Sequence, residues 1–193
     1  MTTAAFHFDY RSPYSYLAIT QLGDVVLTLH PFDIVDVMQR VGNTPTTVTC
    51  KAKGAYANRD IQRWAARYGV PFARNPDMRS VDARRLLRAT LAIPDGVERR
   101  KATEAIYAAM WGVPAPLSTP AEVGAVLAAA GVSGAEGLIA TIDDPALDQK
   151  LDAASIAAAQ LGVFGSPTFI FSGEMFFGND RLDFLRDALA VAA

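Results

Sequence analysis

The spacing of apolar and polar positions changes character several times along the chain, and each change marks an element. Residues 4 to 10, Ala-Ala-Phe-His-Phe-Asp-Tyr, mix the two kinds in a β-favouring run and predict a strand. From Pro13 the period lengthens: Tyr14, Leu17, Ala18, Gln21 and Leu22 fall at helical intervals, with Ser12 at the N-cap and Pro13 at the first helical position. A second apolar run, Val25 to Val35, is interrupted by His30-Pro31. It completes a β-α-β unit whose short connection implies a right-handed crossover onto a parallel sheet.

The middle of the chain reads differently. A Gly/Pro/Thr-rich loop runs from Gly42 to about Pro76 and encloses a helical stretch with Ile61, Trp64, Ala65 and Tyr68 on one face. From Met78 to about Leu161 the pattern is helical, punctuated by Pro94, Pro114-Ala-Pro116, Pro120, Gly131 to Gly137 and Pro145, which predicts four or five helices. Strands return at Thr168 to Phe171 and Met175 to Phe177, joined by a Ser172-Gly173 turn. A last helix is expected from about Asp180 to Ala190, with Leu182, Leu185 and Leu189 on one face. The order βαβ, helical block, ββα predicts an α/β, thioredoxin-like domain from residues 1–40 and 160–193. Residues 41–159 form a loop and a mainly helical insertion. No internal repeat supports a solenoid.

Composition narrows the chemistry. Half of the 193 residues are hydrophobic (51%) and a fifth are charged (20%), as in a globular enzyme. A net charge of −2 argues against a dominant nucleic-acid or anionic-membrane surface. An acid at position 9 breaks any signal-peptide run and no apolar stretch is long enough to span a bilayer, so a cytoplasmic protein is expected. One cysteine, Cys50, and two histidines, His7 and His30, cannot build an intramolecular disulfide, a CxxC pair or a Cys/His zinc cluster, and no metal site is expected. Cys50 reads as structural or incidental, and His7, between Phe6 and Phe8, as a core or edge residue. GxGxxG, Walker and GxSxG signatures are absent. The cations Arg79, Arg84, Arg85, Arg88, Arg99, Arg100 and Lys101 alternate with acids and read as a solvated helix face.

Four places remain as candidate chemistry. Ser12 stands at a strand-to-helix junction, where free N–H groups and the helix dipole favour an anion such as a thiolate; an ordinary helix start explains Ser-Pro equally. Ser166-Pro167 precedes a buried strand, the place for a cis peptide whose backbone would pair with an extended peptide; a trans loop is the alternative. Asn179 and Asp180 either cap the last helix or hold a ligand's carboxylate and ammonium groups. The segment from Gly42-Asn43-Thr44-Pro45 to Cys50-Lys51-Ala52-Lys53-Gly54 is either an anion-contacting loop or a solvated one.

Taken together, Phe8-Asp9-Tyr10-Arg11-Ser12-Pro13-Tyr14-Ser15-Tyr16-Leu17-Ala18, Gly42-Asn43-Thr44-Pro45, Lys53-Gly54-x-Tyr56 with Asp60, and Tyr68-Gly69-Val70-Pro71 resemble a known family. So do Gly162 to Phe169 and Phe177-Gly178-Asn179-Asp180-Arg181-Leu182. The family is that of 2-hydroxychromene-2-carboxylate isomerases and kappa-class glutathione transferases. The Gly-Asn-Thr-Pro block and Arg63-Trp64 are more similar to the isomerase. The resemblance implies the DsbA/kappa-class architecture, with serine in place of the redox cysteine and glutathione as cofactor. It implies the glutathione sulfur near Ser12, the cysteinyl unit at Ser166-Pro167, the γ-glutamyl end at Asn179 and Asp180, and contacts from Asn43 and Lys53. The family often has serine where this chain has Asn179.

The implied reaction is interconversion of 2-hydroxychromene-2-carboxylate and trans-o-hydroxybenzylidenepyruvate in bacterial aromatic-hydrocarbon breakdown. Its substrate is a small aromatic 2-oxo or 2-hydroxy carboxylate, and a homodimer is implied. Two alternatives stay open: a kappa-like transferase that conjugates electrophiles, and a non-catalytic thioredoxin-fold module that binds peptides.

Overall fold

The structure, a computed structural model, describes residues 3–192. Strand β1 (Thr3–Phe8) is central, with β2 (Val26–Pro31) parallel on one side and β3 (Thr168–Phe171) antiparallel on the other. Strand β4 (Glu174–Phe177) pairs antiparallel with β3, giving the order β2-β1-β3-β4. Helix α1 (Pro13–Ile19) makes the crossover between the parallel strands. The β2 strand is shorter than its apolar run. It ends at Pro31, and Asp33 caps α2 (Ile34–Arg40) by accepting from Val35 N, so the run splits into strand and helix where proline cannot continue the ladder.

Two differences from the sequence reading concern the middle. The segment expected as loop through Gly54 is helical there: α3 (Thr46–Thr49) leads into α4 (Lys51–Tyr68). A Cβ at Gly54 would lie 2.8 Å from the Thr47 carbonyl oxygen, so this glycine allows α3 to pack on α4. Helices α5 (Ala83–Ala92), α6 (Val97–Tyr107), α7 (Pro120–Ala129), α8 (Ala135–Thr141) and α9 (Pro145–Gln160) follow, with a π turn at Ala108–Gly112. The chain closes with a 3₁₀ turn at Asn179–Arg181 and α10 (Leu182–Val191).

The arginine-rich stretch is the second correction: Arg79 and Lys101 are exposed, but the five arginines between them do not form a solvated face. Arg88 is 6% exposed and donates to Ile142 O, Asp143 and Asp148. Arg84 bridges Asp33 to Asp148 and Asp152, and Arg85 binds Asp143, so α5 is tied to α9 and the turn before it. Arg99 and Arg100 donate to the carbonyls of Ile93, Leu29, Val25 and Leu22. These cations join elements whose free carbonyls and carboxylates would otherwise lack partners.

The core is aromatic beneath the sheet. Phe6 stacks on its register partner Phe169 with centroids 4.8 Å apart and on Phe8 at 4.9 Å. Phe32, Val37, Ala158 and Val163 form a smaller buried cluster with Ile170 and Met175 packed against it. No helix among the described residues is long and apolar enough to cross a membrane.

Candidate active site

The turn between β1 and α1 is held by its own backbone and by distant side chains. Tyr107 Oη donates to Asp9 O at 3.0 Å, and Trp111 Nε1 donates to Tyr10 O at 2.7 Å. Below it, the fully buried Asp9 carboxylate accepts from Arg11 N, from the Arg11 guanidinium and, at 2.9 Å, from Ile34 N at the start of α2. Arg11 reaches on to Asp33 and Arg84 meets the same carboxylate, which builds a chain Asp9–Arg11–Asp33–Arg84. Burial pushes the Asp33 carboxyl up. The Arg11 charge and the hydrogen bonds from Arg11, Arg84 and Val35 N outweigh it and hold the group below the usual carboxylate range.

This scaffold presents Ser12. Its backbone is extended (φ −92°, ψ 108°) and its Oγ accepts from Ser15 N at 3.2 Å, the expected N-cap. The same Oγ donates to Ser166 O at 2.7 Å. The Ser166-Pro167 bond is cis. Ser166 Oγ accepts from Asp9 N at 2.9 Å and shares a 2.6 Å bond with Ser15 Oγ. The two serines read separately from sequence are therefore one hydrogen-bonded cluster. Ser12 and Ser166 are both half-buried. The Ser166 carbonyl, expected to face a peptide, accepts from Ser12 instead. Its N–H is different: among the described residues, neither Ser166 N–H nor Tyr14 N–H has a protein acceptor. A hydroxyl, the start of α1 and two unused backbone donors thus belong to two segments joined by the Ser12–Ser166 bond.

The other expected residues gather around this cluster in unequal ways. Asn43 is exposed, and its Nδ2 donates at 2.8 Å to Phe164 O, two residues before Ser166. Gly178 N donates to Pro167 O at 3.0 Å, which seats the 178–180 segment beside the cis peptide. Asn179 is buried there, its Nδ2 toward Tyr68 Oη at 3.3 Å while Tyr68 Oη donates to Asn179 O at 3.0 Å. Asp180 is exposed and paired with Arg181. Neither side chain caps α10.

Lys53 lies on α4 and lines an open cleft of about 460 Å³ with Tyr14, Thr47, Ala52, Tyr56 and Ala57. Tyr14 carries the cleft back to α1. Its Oη donates to Asp60 at 3.1 Å, and Tyr56 Oη donates to the other carboxylate oxygen at 3.4 Å. Burial, then the charge and hydrogen bond of Asp60, push the Tyr14 phenol up, so it remains a donor at neutral pH. Tyr14 and the Asp9–Arg11 pair had no assigned role in the sequence reading. All three stand in the Phe8 to Ala18 block, in which the sequence marks Ser12 alone as candidate chemistry.

Residues 3–190 match the DSBA-like thioredoxin domain family. A curated 2-hydroxychromene-2-carboxylate isomerase of Sphingobium xenophagum is 30% identical over 195 residues, covering 97% of each chain. Glutathione S-transferase kappa 1 of Rattus norvegicus is 25% identical over 198 residues, covering 92% of this chain and 86% of the relative. The solved structure of a 2-hydroxychromene-2-carboxylate isomerase superposes with a TM-score of 0.85 at 28% identity, over 98% of this chain and 95% of that one.

Proposed function

The chain belongs to the DSBA-like thioredoxin family and, within it, to the 2-hydroxychromene-2-carboxylate isomerase family, and from that premise we propose that it is a glutathione-dependent isomerase. The reaction is the interconversion of 2-hydroxychromene-2-carboxylate and trans-o-hydroxybenzylidenepyruvate. One observation carries the reading: Ser12 Oγ stands at the N-cap of α1 and in contact with Ser166, whose N–H is unused. A tripeptide thiol suits these residues, since the free N–H matches a peptide carbonyl and the helix start matches a sulfur anion.

Bound glutathione supplies a thiolate, a nucleophile able to add reversibly to a conjugated double bond and so free it to rotate. The protein's residues do the rest. The Ser12 hydroxyl turns from Ser166 O to donate to an anion at the α1 N-terminus, where Tyr14 N–H adds a second donor. A thiol of ordinary pKa near 8.5 is mostly protonated at neutral pH, and such an environment, worth about 0.3–2 kcal/mol from the helix terminus, raises the ionised fraction. The Ser166 backbone and Asn43 hold the peptide, and Asp180 and Asn179 receive its γ-glutamyl end. Lys53 offers a donor to a substrate carboxylate in the cleft, whose walls are the rings of Tyr14 and Tyr56 with their hydroxyls on Asp60.

Mass spectrometry of the products tests this. An isomer of unchanged mass, formed only with glutathione present, is expected. A glutathione adduct would instead make the protein a kappa-like transferase, and undiminished turnover without glutathione would end the proposal.

A further inference from the structure

Apart from Lys150 on α9, the 18 lysines and arginines of the chain divide into two populations. Arg11, Arg40, Arg84, Arg85, Arg88, Arg99, Arg100, Lys101, Arg181 and Arg186 all have carboxylate partners. Residues 51–79 carry seven lysines and arginines against two carboxylates, in a chain of net charge −2. Among the described residues none of these seven lies within ion-pair distance of an acid. Of the two acids, Asp60 faces the tyrosines of the cleft.

Within this segment Arg59, Arg63 and Arg67 recur at i, i+4 and i+8 on α4. All three are exposed, while the helix buries Ala57, Ile61 and Ala65 on its other side. The stripe begins at the cleft: the Arg63 guanidinium lies 5.9 Å from the ring centre of Tyr56, a cleft wall residue, and Arg67 lies 5.7 Å from that of Trp64. Asp180, whose charge reaches Tyr14, is itself paired with Arg181.

We propose that the Arg59–Arg63–Arg67 stripe is a capture surface that draws organic carboxylate anions along α4 into the cleft at Lys53 and Tyr56. The inference rests on the reaction proposed above, whose substrate and glutathione both carry carboxylates. Like charges held apart from acids project a potential over the surface and raise the rate of encounter with an anion. That gain is screened by salt. The stripe serves arrival and not chemistry, so it acts on kcat/KM and leaves kcat alone.

The test is an R59Q/R63Q/R67Q variant of the full chain, in glutathione, at about 0.01 M and about 0.15 M salt, where the screening length falls from about 30 Å to about 8 Å. Two rates are measured: kcat/KM for the hydroxychromene carboxylate, and stopped-flow association of 2-hydroxycinnamate beside its uncharged methyl ester. Expected are a roughly tenfold loss of both rates at low salt, kcat within about twofold, loss of the salt dependence, and no change for the ester. Equal association of the acid with both proteins overturns the capture surface, whatever turnover shows. Absence of isomerisation in the unaltered protein, with salt-dependent association intact, overturns the reaction and supports the surface. A change of oligomeric state in the variant would make the stripe a contact between copies and overturn the proposal.

Discussion

Ser12 Oγ donates a 2.7 Å hydrogen bond to the carbonyl of Ser166, 154 residues away in sequence. The same oxygen accepts from Ser15 N and so caps α1. One hydroxyl therefore joins the helix after β1 to the segment before β3, the two halves of the sheet that the helical block separates. Its neighbours leave it little freedom: Asp9 N and Ser15 Oγ fix Ser166 Oγ, and Tyr107 and Trp111 fix the turn that carries Ser12. With its oxygen fixed at the helix start, Ser12 needs only to turn its proton from Ser166 O to donate to an anion there.

Ser12→Ala is expected to cost about 1 kcal/mol of stability, the usual loss of an N-cap side chain, measured by urea unfolding. The catalytic loss is expected to be larger. Removal of one preorganised donor lowers turnover by about 10²-fold. Near-normal kcat/KM in a folded Ser12→Ala protein would remove Ser12 from the reaction.

Arg11→Met is expected to destabilise by about 3 kcal/mol. The Asp9 carboxylate is fully buried, and it would lose its guanidinium partner. Asp33, less buried, keeps Arg84 and so suffers less. Adding Asp9→Asn should recover part of the loss, since the pair would then be removed together. Equilibrium unfolding of the single and double variants decides it, and a single-variant loss below about 1 kcal/mol would contradict this account of the pair.

Local signals carried the ends of the chain. Strand β1, the Ser12-Pro13 start and the β3-β4 turn are written in neighbouring residues, so they were legible. The arginines of α5 were not, because their partners Asp143, Asp148 and Asp152 come 55 to 68 residues later and only packing reveals them. The pairing of Tyr68 with Asn179 spans 111 residues and is invisible for the same reason. At the site, the sequence marked Ser12 and Ser166 separately. The bond that makes them one cluster depends on a fold that brings both ends of the chain together.

Gly54→Ala separates local preference from tertiary fit. In an isolated helix the change would gain about 1 kcal/mol. Here the new Cβ would meet the Thr47 carbonyl at 2.8 Å, and that oxygen belongs to backbone, so α3 must shift. The expected outcome is no gain in Tm and a raised KM with kcat nearly unchanged, because Thr47 lines the cleft and Ser12 does not depend on it. A clear rise in Tm with unaltered KM would show that α3 yields freely.

His7 gives the fold an acid limit. It is 5% exposed in β1, and its ring stacks on His30 with centroids 4.8 Å apart. Burial, with the His30 charge adding to it, lowers its pKa from an ordinary 6.5 to about 4. Between those values the unfolded chain binds the proton and the folded one does not. Stability is therefore complete above about pH 6.5 and falls as the pH drops toward 4, by at most about 3 kcal/mol. Asp33, held below the usual carboxylate range, weakens the fold only at still lower pH, and His30, also lowered by burial, adds a slope of the same sign. Urea midpoints measured from pH 7 to pH 4 should fall steeply for the unaltered protein and clearly less for His7→Leu. Equal slopes would place the acid sensitivity elsewhere.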